Sequence, residues 1–158
     1  MEKRIICGFR DFEALSGEEV GCSSYCAITQ EQIDQFAAAT LDHQWIHTDP
    51  ARAAVESPFR ATIAHGYLTL SLLTHHWYDV VEVRNVALVV NYGIEELRFK
   101  QPVPVNSRVR ARFVLDSVAD LRGITRIRVR VTMEMEGNPK PAYECTVVFL
   151  YHFKPSSD

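Results

Sequence analysis

Two side chains in the stretch from Phe36 to Leu70 have the types needed to activate water. Asp42 carries a carboxylate and His47, five residues later, an imidazole, both in a loop that ends at Pro50. Gly66 follows in the first turn of a predicted apolar helix, where backbone amides lack an intrahelical acceptor and lie at the positive end of the helix dipole. Together these groups suit the addition of water to a polarised double bond. That reaction needs a base for water and a donor for the developing enolate oxygen.

The spacing of Asp42 and His47 is weak evidence by itself, because such pairs also arise by chance. On spacing alone the commoner interpretation is structural, with Asp42 capping its own loop and His47 at the surface or hydrogen-bonded in the core. We interpret His43 as a loop residue, and His65 as a residue that either orients Gly66 or simply packs. The remaining histidines show no partner pattern and are interpreted as surface or helix-end residues: His75, His76 and His152.

Length and composition predict one soluble globular domain over residues 1–158, with residues 154–158 as a frayed tail. The chain is 47% hydrophobic and 23% charged, with a net charge of −3 and a pI of about 6.1. This charge gives no reason to expect nucleic acid or an anionic membrane as a partner. The N-terminus lacks a signal-peptide pattern, and no run approaches the roughly 18 apolar residues of a membrane span. We therefore expect a cytoplasmic protein.

The cysteines and histidines do not have the spacing of a metal site, so no metal is assigned. A reducing compartment also disfavours disulfides. The cysteines are expected to be small core or strand residues: Cys7, Cys22, Cys26 and Cys145.

Two helices are predicted. Thr29 as N-cap and Gln32 three residues later form a capping box, which predicts a short helix before the Asp42 loop. A second helix is expected from near Ile63 to about Tyr78. Because it is apolar nearly all round, it should be buried inside the domain, with Tyr67 and Trp77 in the core.

The C-terminal half is predicted to be strands, since apolar and polar residues alternate over long runs. The expected segments in this half are 80–92, 96–100, 108–115, 126–135 and 143–151, and a further strand-like segment over 18–28 leads into the first helix. Alternation of this length favours antiparallel strands with one covered face. The economical arrangement is an α+β domain in which a strongly bent antiparallel sheet wraps around the apolar helix.

Two predicted strands carry rows of arginine. These could form a basic strip for the phosphates of coenzyme A, but such rows are more often the solvated face of a sheet, paired with acids such as Glu134 and Glu144. The residues concerned are Arg108, Arg110, Arg112, Arg126, Arg128 and Arg130.

Three separated blocks resemble the MaoC-like dehydratases, and especially their NodN-like branch, which includes R-specific enoyl-CoA hydratases. The first block is F-x-x-x-T-x-D-H-Q-W-I-H-x-D-P-x-R-A, from Phe36 to Ala53. The second is P-F-x-x-T-I-A-H-G-x-L-T-L-S-L, from Pro58 to Leu72, and the third is N-Y-G-x-x-x-x-R-F-x-x-P-V-P-V, from Asn91 to Val105. The similarity covers roughly Ile28 to Leu115, with the blocks in the same order.

The resemblance implies a hot-dog fold, with a sheet wrapped around a long central helix, and a homodimer whose sheets join. It implies that Asp42 and His47 are a catalytic dyad, that the Gly66 amide binds the thioester carbonyl, and that Ala64 and His65 are its neighbours. The implied reaction adds water to a trans-2-enoyl thioester to give the (3R)-hydroxyacyl thioester, or the reverse. Coenzyme A or acyl carrier protein is then part of the substrate, and no separate cofactor is needed.

One departure from the family pattern concerns activity. The family usually has glycine just before the aspartate, where this chain has Leu41. If that position needs a positive φ, leucine is strained there. Two other functions stay open. One is an acyl-CoA thioesterase, since hot-dog proteins include them. The other is a non-catalytic acyl-thioester-binding protein, which Leu41 favours.

Overall fold

The computed structural model describes residues 2–155, which contain six helices and eight strands. In chain order they are β1 (Arg4–Ile6), α1 (Phe9–Glu13), β2 (Glu19–Cys22), β3 (Cys26–Ala27), α2 (Gln30–Thr40), α3 (Trp45–Thr48), α4 (Pro50–Glu56), α5 (Gly66–Ser71), α6 (Leu73–Val80), β4 (Val81–Val83), β5 (Val86–Phe99), β6 (Arg108–Asp120), β7 (Ile124–Met135) and β8 (Asn138–Phe153).

The main sheet is antiparallel and runs in the order β2-β6-β7-β8-β5, with β3 also paired to β6. Its strands come from the predicted alternation, because every second residue faces the core. On β6, for example, Val109, Ala111, Phe113 and Leu115 are all fully buried. The predicted pattern of strands with one covered face is therefore confirmed.

The covered face of the sheet packs against α6 through Trp77. Its indole ring lies edge-on to Phe113 of β6 and stacked on Phe149 of β8. The indole N–H donates to the Tyr151 hydroxyl at 2.7 Å, so the buried polar atom has a partner. The core position predicted for Trp77 is confirmed.

The apolar helix differs from its prediction in three ways. It begins at Gly66 rather than near Ile63, because the Ile63 and Ala64 amides donate to the carbonyls of Ile46 and Val103 instead of entering a helix. It is also divided at Leu72 into α5 and α6, where the hydroxyls of residues 69 and 71 bond back to helix carbonyls, an interaction that bends helices. Third, Tyr67 is 67% exposed, so its predicted place in the core is wrong.

The segments around the helices also differ from the predicted boundaries. The expected strand over 80–92 is two elements, since β4 pairs in parallel with β1 and a turn at Asn85, with φ of 54°, separates it from β5. The short segment expected at 96–100 belongs mostly to β5, and the segment over 18–28 contains both β2 and β3. Hydrophobic runs of this length do not show where a strand changes partner.

The chain ends and the cysteines complete the comparison. Residues 156–158 of the predicted frayed tail lie outside the described residues, while the Lys154 amide donates to Asn85. Cys22, Cys26 and Cys145 lie in strands as predicted, whereas Cys7 is exposed outside any strand. Within residues 2–155, none of the helices is long and apolar enough to cross a membrane.

Candidate active site

The loop that carries the acid begins where α2 ends. The predicted capping box starts this helix: Thr29 Oγ1 accepts from the Gln32 amide at 3.2 Å, and Gln32 Oε1 accepts from the Thr29 amide at 3.0 Å. The helix stops at Leu41, whose φ of 62° and ψ of 19° are left-handed. Asp42 follows directly, and its Oδ1 accepts weakly from the Gln44 amide at 3.4 Å. The positive φ at Leu41 turns the chain so that Asp42 leaves the helix.

The backbone conformation of Leu41 yields a stability prediction. A leucine in this region costs about 1–2 kcal/mol, while glycine avoids the steric part and loses some chain entropy. Since the Leu41 side chain is 82% exposed, it has little packing to lose. We expect Leu41→Gly to raise the free energy of unfolding by about 0.5–1 kcal/mol in urea titrations. Leu41→Ala is the control, because alanine keeps the Cβ and should leave stability nearly unchanged. An equal gain in stability from both substitutions would contradict the view that the Leu41 backbone is strained.

His47 lies on the single-turn helix α3, which interrupts the loop expected between residues 41 and 50. Its Nδ1 lies 2.7 Å from the Ile63 carbonyl, and since a carbonyl only accepts, Nδ1 must carry the proton. The Nε2 of a neutral His47 is then a free acceptor. Burial lowers the pKa of His47 below its ordinary value, and the Ile63 hydrogen bond only partly opposes this, so the neutral form is favoured near pH 7.

His65 contacts both Asp42 and His47. Its ring stacks on His47 with centroids 3.8 Å apart, and its Nε2 donates to the Asp42 backbone carbonyl at 3.0 Å. The same nitrogen lies 3.9 Å from the Asp42 carboxylate. One atom from each of Asp42, His47 and His65 lies within 4.8 Å of the other two. The structure thus brings together the predicted dyad, with His65 holding both members.

The rings of the three-residue cluster are not oriented to share a metal ion. Nitrogen lone pairs lie in the plane of the imidazole ring, and the His47 and His65 rings are only 25° from parallel. Their lone pairs therefore do not point to one common centre. One nitrogen of each ring is also occupied by a backbone carbonyl.

The Gly66 amide lies at the start of α5 and has no acceptor among the described residues. A Cβ built on Gly66 would lie 3.1 Å from the Phe99 ring, so any larger residue would require this aromatic side chain to shift by a few tenths of an ångström. Ala64 lies nearby, but its own amide donates to Val103 at 2.8 Å and is not free. Of the Ala64 and Gly66 amides, that of Gly66 is therefore the available donor.

A cavity of 380 Å³ connects the imidazole with this amide. It is lined by His47, Ala64, Gly66, Thr69 and Phe99, among others. Asp42 does not line the cavity itself. Its backbone carbonyl accepts from His65, whose ring stacks on the cavity-lining His47. The arrangement places an imidazole and a free backbone amide on one apolar cavity.

The supporting roles of three residues were missed by sequence reasoning. Gln30 Nε2 donates to the His47 carbonyl at 2.8 Å, and the buried Thr62 hydroxyl donates to Gln30 Oε1 at 2.5 Å, which fixes α3 against α2. Phe99 covers Gly66 from β5. No local pattern identifies such contacts, because the partners are far apart in the chain.

The arginine rows are not gathered at this site. Glu134 accepts from Arg110 at 2.7 Å and from Arg112 at 2.9 Å, and Arg128 pairs with Asp116 and Glu95. Glu144, the other expected partner, pairs with Lys100 instead. The solvated, acid-paired face is confirmed for these residues.

Comparison with known proteins shows similarity over most of the chain. The family model described as MaoC like domain matches residues 11–137. 3-Hydroxyacyl-thioester dehydratase Z of Mycobacterium tuberculosis is 50% identical over 142 residues, covering 89% of this chain and 93% of that protein. Nodulation protein N of Rhizobium leguminosarum is 43% identical over 149 residues, covering 92% of each.

A solved structure shows the same fold. The (R)-hydratase from A. caviae involved in PHA biosynthesis superposes with a TM-score of 0.69 at 23% identity, covering 85% of this chain and 94% of that one. The hot-dog fold expected from the resemblance is confirmed.

Proposed function

The chain belongs to the MaoC-like domain family, and from this membership and the site geometry we propose that it interconverts trans-2-enoyl and (3R)-hydroxyacyl thioesters. The observation that carries the proposal is the position of His47 and the Gly66 amide on one cavity, with Asp42 held close to His47 through His65. Sequence similarity to a 3-hydroxyacyl-thioester dehydratase supports the same reaction.

Asp42 and His47 are proposed to activate the water. With Nδ1–H held by Ile63, the free Nε2 of His47 accepts one water proton, and the Asp42 carboxylate accepts the other hydrogen bond. The water oxygen then bonds to C3 of the enoyl group as the C2–C3 π bond opens, and one proton passes to the dyad. C2 takes up a proton to complete hydration, and dehydration follows the same steps in reverse.

Gly66 is proposed to stabilise the enolate. When water adds at C3, negative charge develops on the thioester oxygen, and an unengaged amide at a helix start is suited to bind it. His65 positions the dyad and Ala64 forms the adjoining cavity wall. Hydration does not change the overall oxidation level of the substrate, so we propose that the reaction needs no cofactor beyond the coenzyme A or acyl carrier protein of the substrate.

A groove of 530 Å³ between the helices and β5 is proposed to take the acyl chain. Its walls include Leu70, Leu73, Asn91 and Ile94. A concave site lined mostly by apolar side chains is typical of small-molecule binding. The cytoplasmic location expected from the sequence stays a prediction.

Product analysis with crotonyl-CoA tests the proposed reaction against the two alternatives. We expect 3-hydroxybutyryl-CoA of R configuration to form, with no increase in free thiol detected by a thiol reagent. Release of free coenzyme A would instead identify a thioesterase. Binding of crotonyl-CoA without formation of either product would identify a binding protein. Either of these two results would overturn the proposal.

We further propose that two copies of the chain pair through β5. This strand is at one end of the sheet order, and an open edge favours pairing with another strand. Its exposed side chains are also apolar, an arrangement typical of an interface: Leu88, Val90, Tyr92, Ile94 and Phe99. A second β5 would cover both the edge and these side chains.

Light scattering on the purified protein measures the mass. We expect twice the 18.0 kDa of one chain at micromolar concentration, and we expect Tyr92→Glu to shift the mass toward one chain. Leu121→Glu is the matched control, because Leu121 is an exposed apolar residue of the β6–β7 turn, away from β5. A monomeric wild type, or equal effects of the two substitutions, would contradict pairing through β5.

A further inference from the structure

We propose that Cys26, His75 and His76 form a second site, which binds a thiophilic divalent cation of the zinc class. The site lies where β3 crosses α6, and its three residues are separate from those of the proposed active site. His76 is 1% exposed, so its interpretation as a surface or helix-end residue is wrong. The fold brings together ligand types whose spacing in the sequence gave no metal pattern.

The distances fit a tetrahedral ion. One ligand atom from each residue lies within 4.8 Å of the other two, and Cys26 Sγ lies 3.5 Å from His76 Nε2. Zinc–sulfur and zinc–nitrogen bonds of about 2.3 and 2.0 Å at a tetrahedral angle place sulfur and nitrogen about 3.5 Å apart. The Cys26–His76 edge therefore already has nearly the required length.

The histidine rings are oriented differently from those of the active site. The His75 and His76 ring planes are 64° apart with centroids 5.3 Å from each other. Lone pairs in planes that cross can converge on one centre, whereas those of the nearly parallel His47 and His65 rings do not. His75 is exposed, so its ring has room to complete the convergence.

Ser23 supports His76 in the way that an outer residue orients a metal-bound imidazole. Ser23 Oγ lies 2.8 Å from His76 Nδ1, accepts from the Ala111 amide at 2.9 Å and lies 3.2 Å from the Ser24 carbonyl. If the hydroxyl proton goes to Ser24, Nδ1–H donates to Ser23 and the Nε2 lone pair faces Cys26. A fixed tautomer of this kind is characteristic of histidine ligands.

The site also has a source of negative charge. Binding of a cation releases the Cys26 thiol proton to solvent as the sulfur–metal bond forms. The carboxylate of Asp79, which accepts from the Ser24 amide at 2.6 Å, adds nearby negative charge.

Cobalt(II) titration of the full-length protein tests this site, because a cobalt–thiolate bond gives a charge-transfer band in the near ultraviolet. We expect the band in the wild type and its loss in Cys26→Ser. Cys22→Ser is the matched control, since Cys22 is another half-buried strand cysteine, and it should keep the band. His75→Ala changes an exposed residue and should weaken cobalt(II) binding at least about tenfold.

Zinc(II) should displace cobalt(II) and raise the melting temperature of the wild type but not of Cys26→Ser. Circular dichroism checks that each variant is folded. Absence of the band in the wild type, its persistence in folded Cys26→Ser, or equal loss in Cys22→Ser would overturn the proposal. So would unchanged affinity in His75→Ala. These spectra do not depend on hydratase activity.

Discussion

Asp42→Asn is expected to lower kcat/KM for crotonyl-CoA hydration by about 100- to 10,000-fold, the range found for loss of general acid–base groups. The substitution replaces one carboxylate oxygen by an amide that cannot accept a proton. Asparagine can still accept from the Gln44 amide as Asp42 Oδ1 does, and the Asp42 carbonyl that receives His65 Nε2 is unchanged. The fold of the loop should therefore be retained, and the loss should appear mainly in kcat.

Asp49→Asn is the matched control for this prediction. Asp49 is in the same region and caps α4, where its Oδ1 accepts from the Arg52 amide at 2.9 Å. Asparagine is an equally good N-cap, so this variant should keep wild-type activity. Similar losses in both variants would show that the effect comes from the loop and not from the Asp42 carboxylate.

His47→Asn is expected to cause a loss of similar size. The asparagine amide nitrogen can occupy the place of Nδ1 and continue to donate to the Ile63 carbonyl, while the Nε2 acceptor is removed. The substitution thus separates the structural hydrogen bond from the proposed base. We expect kcat/KM to fall by about 100- to 10,000-fold in the same assay.

His43→Asn makes the same change in an exposed histidine of the same loop and should leave activity unchanged. It also tests the interpretation of His43 as a loop residue. If His43→Asn reduced activity as strongly as His47→Asn, the assignment of the base to His47 would be wrong.

The sequence predicted those features that depend on local chemistry. The capping box at Thr29 and Gln32 is a contact between near neighbours, and the alternation along β6 and β7 follows from the strand repeat. The Asp42–His47 pair could also be proposed from the sequence. Spacing alone favoured a structural role for these residues, and the family resemblance was needed to select them as a candidate dyad.

Features that depend on distant contacts could not be predicted in this way. The helix begins at Gly66 because the Ile63 and Ala64 amides are bound by Ile46 and Val103, residues from other parts of the chain. The stacking of His65 on His47 and the cover of Phe99 over Gly66 likewise arise only after folding.

The histidines illustrate the same limit. His76 has an ordinary helical position in the sequence, yet the fold buries it against Ser23 and Cys26. Tyr67 belongs to an apolar helix stripe and is nevertheless exposed. A hydrophobic stripe predicts that a face is covered, but it does not distinguish cover by the same chain from cover by a second copy.

The most direct test of the proposed dyad is the loss of enoyl absorbance when crotonyl-CoA is mixed with the wild type and with the Asp42→Asn/His47→Asn double variant. We expect rapid loss with the wild type, and a double variant little slower than either single variant, because groups that hold one water act as a unit. A folded double variant that keeps the wild-type rate would contradict the account.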